Sequence, residues 1–444
     1  MAGSSEALGT QPAGGGWLTR LLGRHQIHYG WAVVGCTFLT MLATAAAMGA
    51  PGIMLEPLQR EFGWSNADIS AAMAIRLAVF GLMAPFAAAF MNRFGIRRVV
   101  FAAIAMIVAG IAGSLFMTEL WHLVALWGIV IGFGTGMTAL VLGATVAARW
   151  FSERRGLVIG LLTASNATGQ LVFLPILASL SERFGWRPAL VLVVTVLLLA
   201  LALVGFVMRD RPSDVGLPPY GEAAVLPEPP QVHGMKELLR TPLLVLAEAA
   251  RSHTFWVLFL TFFICGFSTN GLIQTHWITL CGDFGITPVG AAGALAVIGL
   301  FDLVGTIGSG WLSDRFDNRR LLFWYYGLRG LSLLYLPFSD FSFYSLGLFA
   351  VFYGLDWVAT VPPTVRLVAE RFGREKAGMV FGWVFTAHQL GAASAAMGAG
   401  VSRTEFASYM PAITIAGTLC LLAALLILSV SRPIEAEPKV PATA

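Results

Sequence analysis

The chain has 444 residues, of which 57% are apolar and 12% charged, with a mean hydropathy of +0.76 and a formal net charge of +4. A soluble domain carries about twice that charge fraction, so a soluble globular protein is excluded, and the basic residues form no block suited to a nucleic-acid partner. The apolar residues fall in runs of roughly 18 to 26, each sufficient to cross about 30 Å of hydrocarbon as a helix.

In chain order, residues 1–30 are Gly-rich and polar with no apolar core of signal-peptide length. They are expected to form a cytoplasmic tail, the first span acting as its own insertion signal. Spans are expected near 31–55, 66–91, 99–117, 122–148, 157–181 and 188–208, making an N-terminal half over 31–208. The Pro- and charge-rich interval 209–253 reads as a cytoplasmic linker, and its "MKELLRTPLL" stretch has the spacing of an amphipathic interfacial helix. A second block, 254–430, holds spans near 254–280, 289–313, 321–338, 344–369, 378–401 and 408–430, and 431–444 is a second cytoplasmic tail. The expected fold is therefore an all-α membrane protein of twelve transmembrane helices. Of the 28 Lys and Arg, only Arg60, Arg183, Arg187 and Arg403 fall in the loops of one side, and Arg76 and Arg329 fall within spans. That bias puts both termini in the cytoplasm of a cell bounded by this (inner) membrane. Cys36, Cys265, Cys281 and Cys420 are scattered without metal-ligand spacing, and no GxxxxGK[ST], HExxH or Ser/His/Asp grouping occurs, so no cofactor, metal or enzymatic activity is expected.

The two blocks are copies. "AAFMNRFGIRR" at Ala88–Arg98 and "GSGWLSDRFDNRR" at Gly308–Arg320 align with Asn92 matching Asp314 at an offset of 222 residues. The same offset relates "EFGWS" at Glu61 to "DFGIT" at Asp283, Gly132 to Gly354, and "RWFSERRG" at Arg149 to "RFGREKAG" at Arg371. With Arg97-Arg98 matching Arg319-Arg320 as the fifth, one constant register across five landmarks identifies two six-helix repeats.

The turn between the second and third helices of each repeat resembles the hallmark Gly-x-x-x-Asp-Arg-x-Gly-Arg-Lys of the major facilitator superfamily. Gly310, Asp314 and Arg315 fit it; in the first copy Arg93 fits and Asn92 replaces the acid. The resemblance implies the major facilitator fold over the whole chain, and a gate in which this turn joins the halves when the central cavity opens outward. A carboxylate near a helix N-terminus of the other half has the right sign for such a latch. Charges there also set topology, so the two roles stand side by side.

Ionisable residues at bilayer depth are costly and therefore functional candidates: Arg76, Asp302, Arg329, Asp356 and His388, with Glu56 and His276 nearer the outer ends. At 1.5 Å per residue Asp302 lies about 18 Å and Arg329 about 15 Å from their shared turn, so a structural ion pair between them competes with a substrate or proton-coupling role. His388 is the repeat mate of Asn166, and both are cavity candidates. Asn270 and Gln274 share a helix face, and Tyr353 with Asp356 and Trp357 combines a carboxylate with aromatic walls.

Within the superfamily "YGWAVV" at Tyr29, "RWFSERRGLVIGL" at Arg149 and Asp302 resemble the monocarboxylate transporter-like group, whose essential aspartate sits at this position. The group's helix 1 lysine is absent beside Pro51-Gly52, and its arginine four residues after the aspartate is Thr306 here, leaving Arg76 and Arg329 as candidate cations for a carboxylate. The resemblance implies a monomeric transporter embedded in the lipid bilayer that moves a small organic anion with protons by alternating access. Proton-driven efflux of drugs or metabolites, and a non-transporting nutrient receptor of the same fold, are the alternatives.

Overall fold

The computed structural model describes residues 21–22, 24–25, 27–138, 140–222, 224 and 234–430. The tails expected over 1–30 and 431–444 lie almost entirely outside the described residues. Six long helices precede the linker: α1 (Tyr29–Phe62), α2 (Asn66–Phe94), α3 (Ile96–Ser114), α4 (Leu120–Trp150), α5 (Arg155–Phe184) and α6 (Trp186–Val207). After it come α7 (His253–Gly282), α8 (Pro288–Ser313), α9 (Asn318–Tyr335), α10 (Tyr344–Phe372), α11 (Arg374–Phe406) and α12 (Met410–Ile427). Among the described residues nine helices are long and apolar enough to cross a membrane; α5, α9 and α11 are not among them. In α9 the opening Asn318-Arg319-Arg320 and the internal Arg329 depress the apolar character.

Helix boundaries explain the repeated landmarks. In "EFGWS" Gly63 takes the left-handed conformation (φ 69°) that ends α1, and the Ser65 side chain then accepts from Asp68 N to start α2. In "DFGIT" Gly285 does the same (φ 76°), and Thr287 accepts from Gly290 N at the start of α8. Only glycine adopts that backbone without strain, and a hydroxyl cap satisfies one of the four orphan N–H groups. The α8–α9 turn departs from its counterpart: Gly95 sits at φ 89°, whereas Asp317 at φ −62° caps α9 by accepting from Arg319 N at 3.0 Å. The Arg319 guanidinium beside it holds the Asp317 carboxyl below the usual carboxylate range.

The turns at Arg93–Arg98, Arg149–Arg154, Arg315–Arg320 and Arg371–Lys376 gather at what is termed the basic end. Across the centre α2 packs along α11, α5 against α8, and α1 against the last part of α7. The opposite end is closed by direct bonds between α2 and the α11–α12 region: Asn66 Nδ2 donates to Tyr409 Oη at 2.9 Å, and Ala67 N donates to Thr404 Oγ1 at 3.2 Å. The linker forms a helix at Met235–Ala249 that touches both α2 and α11. It is fastened by Trp383 Nε1 donating to Pro242 O at 2.8 Å and by Lys376 Nζ bonding both Glu248 carboxylate oxygens at 2.6 and 2.7 Å.

Candidate functional site

A cavity of about 740 Å³ occupies the centre of the bundle. Its walls are mainly aliphatic and aromatic, with Met41, Phe80, Phe262, Leu295, Trp357 and Phe385 among them. It reaches the basic end, because Leu157 of α5, Ile307 and Gly310 of α8, and Val365 of α10 also line it. Closed at one end and lined up to the other, it has the form of a binding site reached from the basic end.

Asp302 is the only Asp, Glu, Lys or Arg among the described lining residues and is 8% exposed. Its position follows from close packing of α8 on α10. A Cβ on Gly305 would fall 1.9 Å from Leu355 O, and one on Gly354 would fall 2.6 Å from Ile298 O, so the two backbones meet where no larger residue fits. That contact sets Asp302 opposite a break in α10. The helix stops at Asp356 and restarts at Val361, since Pro362 and Pro363 contribute no N–H. Asp302 Oδ1 accepts from Val358 N and from Thr306 Oγ1, both at 2.9 Å, while Oδ2 has no described partner. Thr306, which stands where the resembling group has arginine, thus orients the carboxylate.

Arg329 does not pair with Asp302. It is fully buried, its Nε donates to Asp356 Oδ2 at 2.8 Å, and its Nη2 donates to the carbonyls of Asp356 and, at 3.1 Å, Trp357. Nη1 meets Cys265 Sγ at 2.9 Å. Equal depth placed Arg329 and Asp302 together in the sequence reading, but azimuth decides partners, and the carbonyls freed by the α10 break attract the guanidinium. Asp356 Oδ1 is buried without a partner. The Arg329–Asp356 pair is a clamp on the break and lies outside the cavity lining, as does Tyr353, which is buried with its hydroxyl donating to Ser268 O at 2.5 Å.

His388, Asn270 and Gln274 do line the cavity. His388 lies between Phe262 and Phe385, with ring centroids 5.1 and 5.7 Å away, and its Nδ1 is 3.2 Å from Gln389 Nε2. A Cβ on Gly266 would fall 1.7 Å from His388 O, so α7 and α11 touch backbone to backbone here. The side chain of Asn166 lies outside the described residues. Gln389, whose Oε1 is buried without a partner, also lines the cavity; the sequence reading passed over it, although an amide beside His388 at bilayer depth was the available signal. Arg76 is 4% exposed and is not part of the lining. His276 is buried with Nε2 2.8 Å from Ala396 O, and Glu56 pairs with Arg60 on the surface.

Asp314 and Asn92 each bond within their own block of helices. Asp314 pairs with Arg366 of α10, and its counterpart Asn92 accepts from Arg149 Nη2 of α4 at 2.6 Å. Arg315 lies over the Trp311 ring at 4.1 Å and Arg93 over Phe94 at 5.5 Å. Asp314 is therefore not a bridge between halves here.

Long apolar helices around a central cavity define a polytopic membrane protein of the transporter class. Residues 33–396 match the family description of the Major Facilitator Superfamily, and the chain belongs to that superfamily. It is 27% identical to monocarboxylate transporter 13 of Rattus norvegicus over 93% of this chain and 88% of that protein. It is 23% identical to an uncharacterized MFS-type transporter, YcxA of Bacillus subtilis, over 84% and 88%. Monocarboxylate transporter 11 of Homo sapiens is 28% identical over 74% and 64%. The chain is thus a multi-pass membrane transporter similar to the monocarboxylate transporters.

Proposed function

We propose that the protein is a proton-coupled symporter for a small organic anion of the monocarboxylate type, working by alternating access through twelve membrane helices in two six-helix repeats. The basic end faces the cytoplasm by the positive-inside bias, so the conformation described is the inward-facing one. The observation that carries the reading is Asp302: a nearly buried carboxylate on the cavity wall with one oxygen accepting two hydrogen bonds and the other left without a described partner. An acid in that setting is a place for a proton. Protonated at Oδ2, it donates a hydrogen bond to an incoming carboxylate; ionised, it repels one. Proton and anion therefore bind together or not at all. The names of the relatives support the substrate class.

The test is uptake of pyruvate and benzoate by purified protein in liposomes, with and without an inward proton gradient. The gradient is expected to drive accumulation, and Asp302→Asn to abolish that drive while leaving anion exchange, because the amide imitates the protonated acid. Gradient-driven accumulation equal to wild type in Asp302→Asn overturns the coupling role. One observation favours a second reading, proton-driven efflux of lipophilic cations: the described lining holds one acid and no Lys or Arg. Export of a lipophilic cation driven by an inward proton gradient, with no carboxylate uptake, would establish it.

A further inference from the structure

A charged side chain withdrawn from water is expected to sit against an opposite charge, and in this protein Arg329 does so. Arg76 does not. It is 4% exposed in the middle of α2, its Nε is buried without a hydrogen-bond partner, and no acidic side chain pairs with it among the described residues. Its backbone packs on α4, where a Cβ on Gly132 would fall 2.9 Å from Arg76 O, and Ala72 and Met73, one turn back on the same side of α2, are fully buried apolar residues. A guanidinium keeps its charge at any pH a cell meets, so the group has no neutral form in which to rest. An arginine held this way is destabilising until an anion reaches it.

Its place in the fold says when that happens. Arg76 lies one helical turn from Phe80 on the same face of α2, and Phe80 lines the cavity. Arg76 is on the side of Phe80 away from the basic end, so it stands just beyond the cavity's closed roof. That roof is made by close α2–α11 and α1–α7 contacts: a Cβ on Gly81 would fall 2.4 Å from the Gln389 side chain, and one on Gly52 would fall 3.2 Å from Gln274 O. Both partners, Gln389 and Gln274, are lining residues. These contacts join the two blocks of helices, and Arg76 lies next to them on the side of α2 that Phe80 turns to the cavity.

We infer that Arg76 is the anion-binding residue of the outward-facing state, taking the substrate carboxylate in a bidentate pair before it passes to the cavity beside Asp302. The inference rests on the anion reading above. It also accounts for the lack of a cation in the described lining: the anion's counter-charge lies in α2, across the roof, and is engaged in the other half of the cycle. A planar fork matches a carboxylate, which a point charge on lysine does not.

The experiment compares wild type, Arg76→Met and Arg76→Lys by thermal unfolding of the purified protein in sodium chloride, sodium pyruvate and sodium benzoate, together with liposome uptake of the two carboxylates. Without a carboxylate, Arg76→Met is expected to unfold at a higher temperature than wild type, because an unpaired buried charge has been replaced by an apolar chain of similar length. It should lose the carboxylate-dependent rise that wild type shows, and its uptake should fall at least about thirtyfold, the lower range for truncating a buried charge partner. Arg76→Lys should keep the maximal rate with about a tenfold rise in the half-saturating concentration. An Arg76→Met protein less stable than wild type in chloride makes Arg76 a structural residue and overturns the inference. So does a carboxylate-dependent rise that survives the substitution, or a wild type that shows none. The outcomes separate the two proposals. A rise lost in Arg76→Met with no uptake by any variant keeps the site and refutes anion transport; unchanged proton-driven uptake in Arg76→Met keeps the transport and refutes the site.

Discussion

Removing Arg329 tests how the α10 break is held. The guanidinium is fully buried and serves Asp356 Oδ2, the carbonyls of Asp356 and Trp357, and Cys265 Sγ. Arg329→Met strands the Asp356 carboxylate, a loss of about 3–5 kcal/mol for breaking a buried pair. It also orphans two carbonyls at about 1–3 kcal/mol each where water cannot reach them. Asp356→Leu strands the arginine instead, with a similar loss from the pair but with the carbonyl bonds kept. The double substitution removes both charges, leaving only the carbonyl term, so it should be more stable than Arg329→Met by about 3 kcal/mol or more. The assay is thermal unfolding in detergent with expression level as a second measure, across both single variants and the double. Uptake adds a functional readout, since Val358 N, which Asp302 uses, sits in the same break; loosening it should raise the proton concentration dependence of transport in step with the stability loss. Additive losses in the double variant, or an Arg329→Met protein as stable as wild type, would refute the clamp.

The Asp314–Arg366 pair is exposed, with 74% of the Asp314 side chain in solvent, so either alanine substitution should cost less than about 1 kcal/mol. Because both residues belong to the same half, cysteines at the two positions should cross-link in every transport state; cross-linking confined to one state would place the partner across the interface. Asp317 supplies a pH test. Its carboxyl is held below its ordinary range by Arg319, so its stabilisation is present above about pH 4 and disappears as pH falls through the depressed folded value. The stability gap between wild type and Asp317→Asn should therefore be constant near neutrality and close on strong acidification, and a gap that widens with acid would show the sign to be wrong.

The amino-acid sequence determined by itself that the chain is a helical membrane protein, because runs of apolar side chains have nowhere else to be stable and their backbones must bond internally. Its matching stretches at Glu61 and Asp283 also have a physical cause: Gly63 and Gly285 supply left-handed turns, and Ser65 and Thr287 supply helix caps. Asp302, Asn270, Gln274 and His388 were legible as cavity candidates because polar groups at bilayer depth are rare and informative. What depth along a helix does not contain is azimuth. Asp302, Asp356 and Arg329 all lie in the interior, and only the packing of α8 and α9 on α10 decided that the arginine clamps Asp356 while Asp302 is left with a free oxygen. The same limit applied to Arg76, whose charge was visible in the sequence but whose lack of a partner was not. Pairing is a property of three helices at once, set by where glycines let backbones approach and where a helix break frees carbonyls, and no local spacing rule contains it.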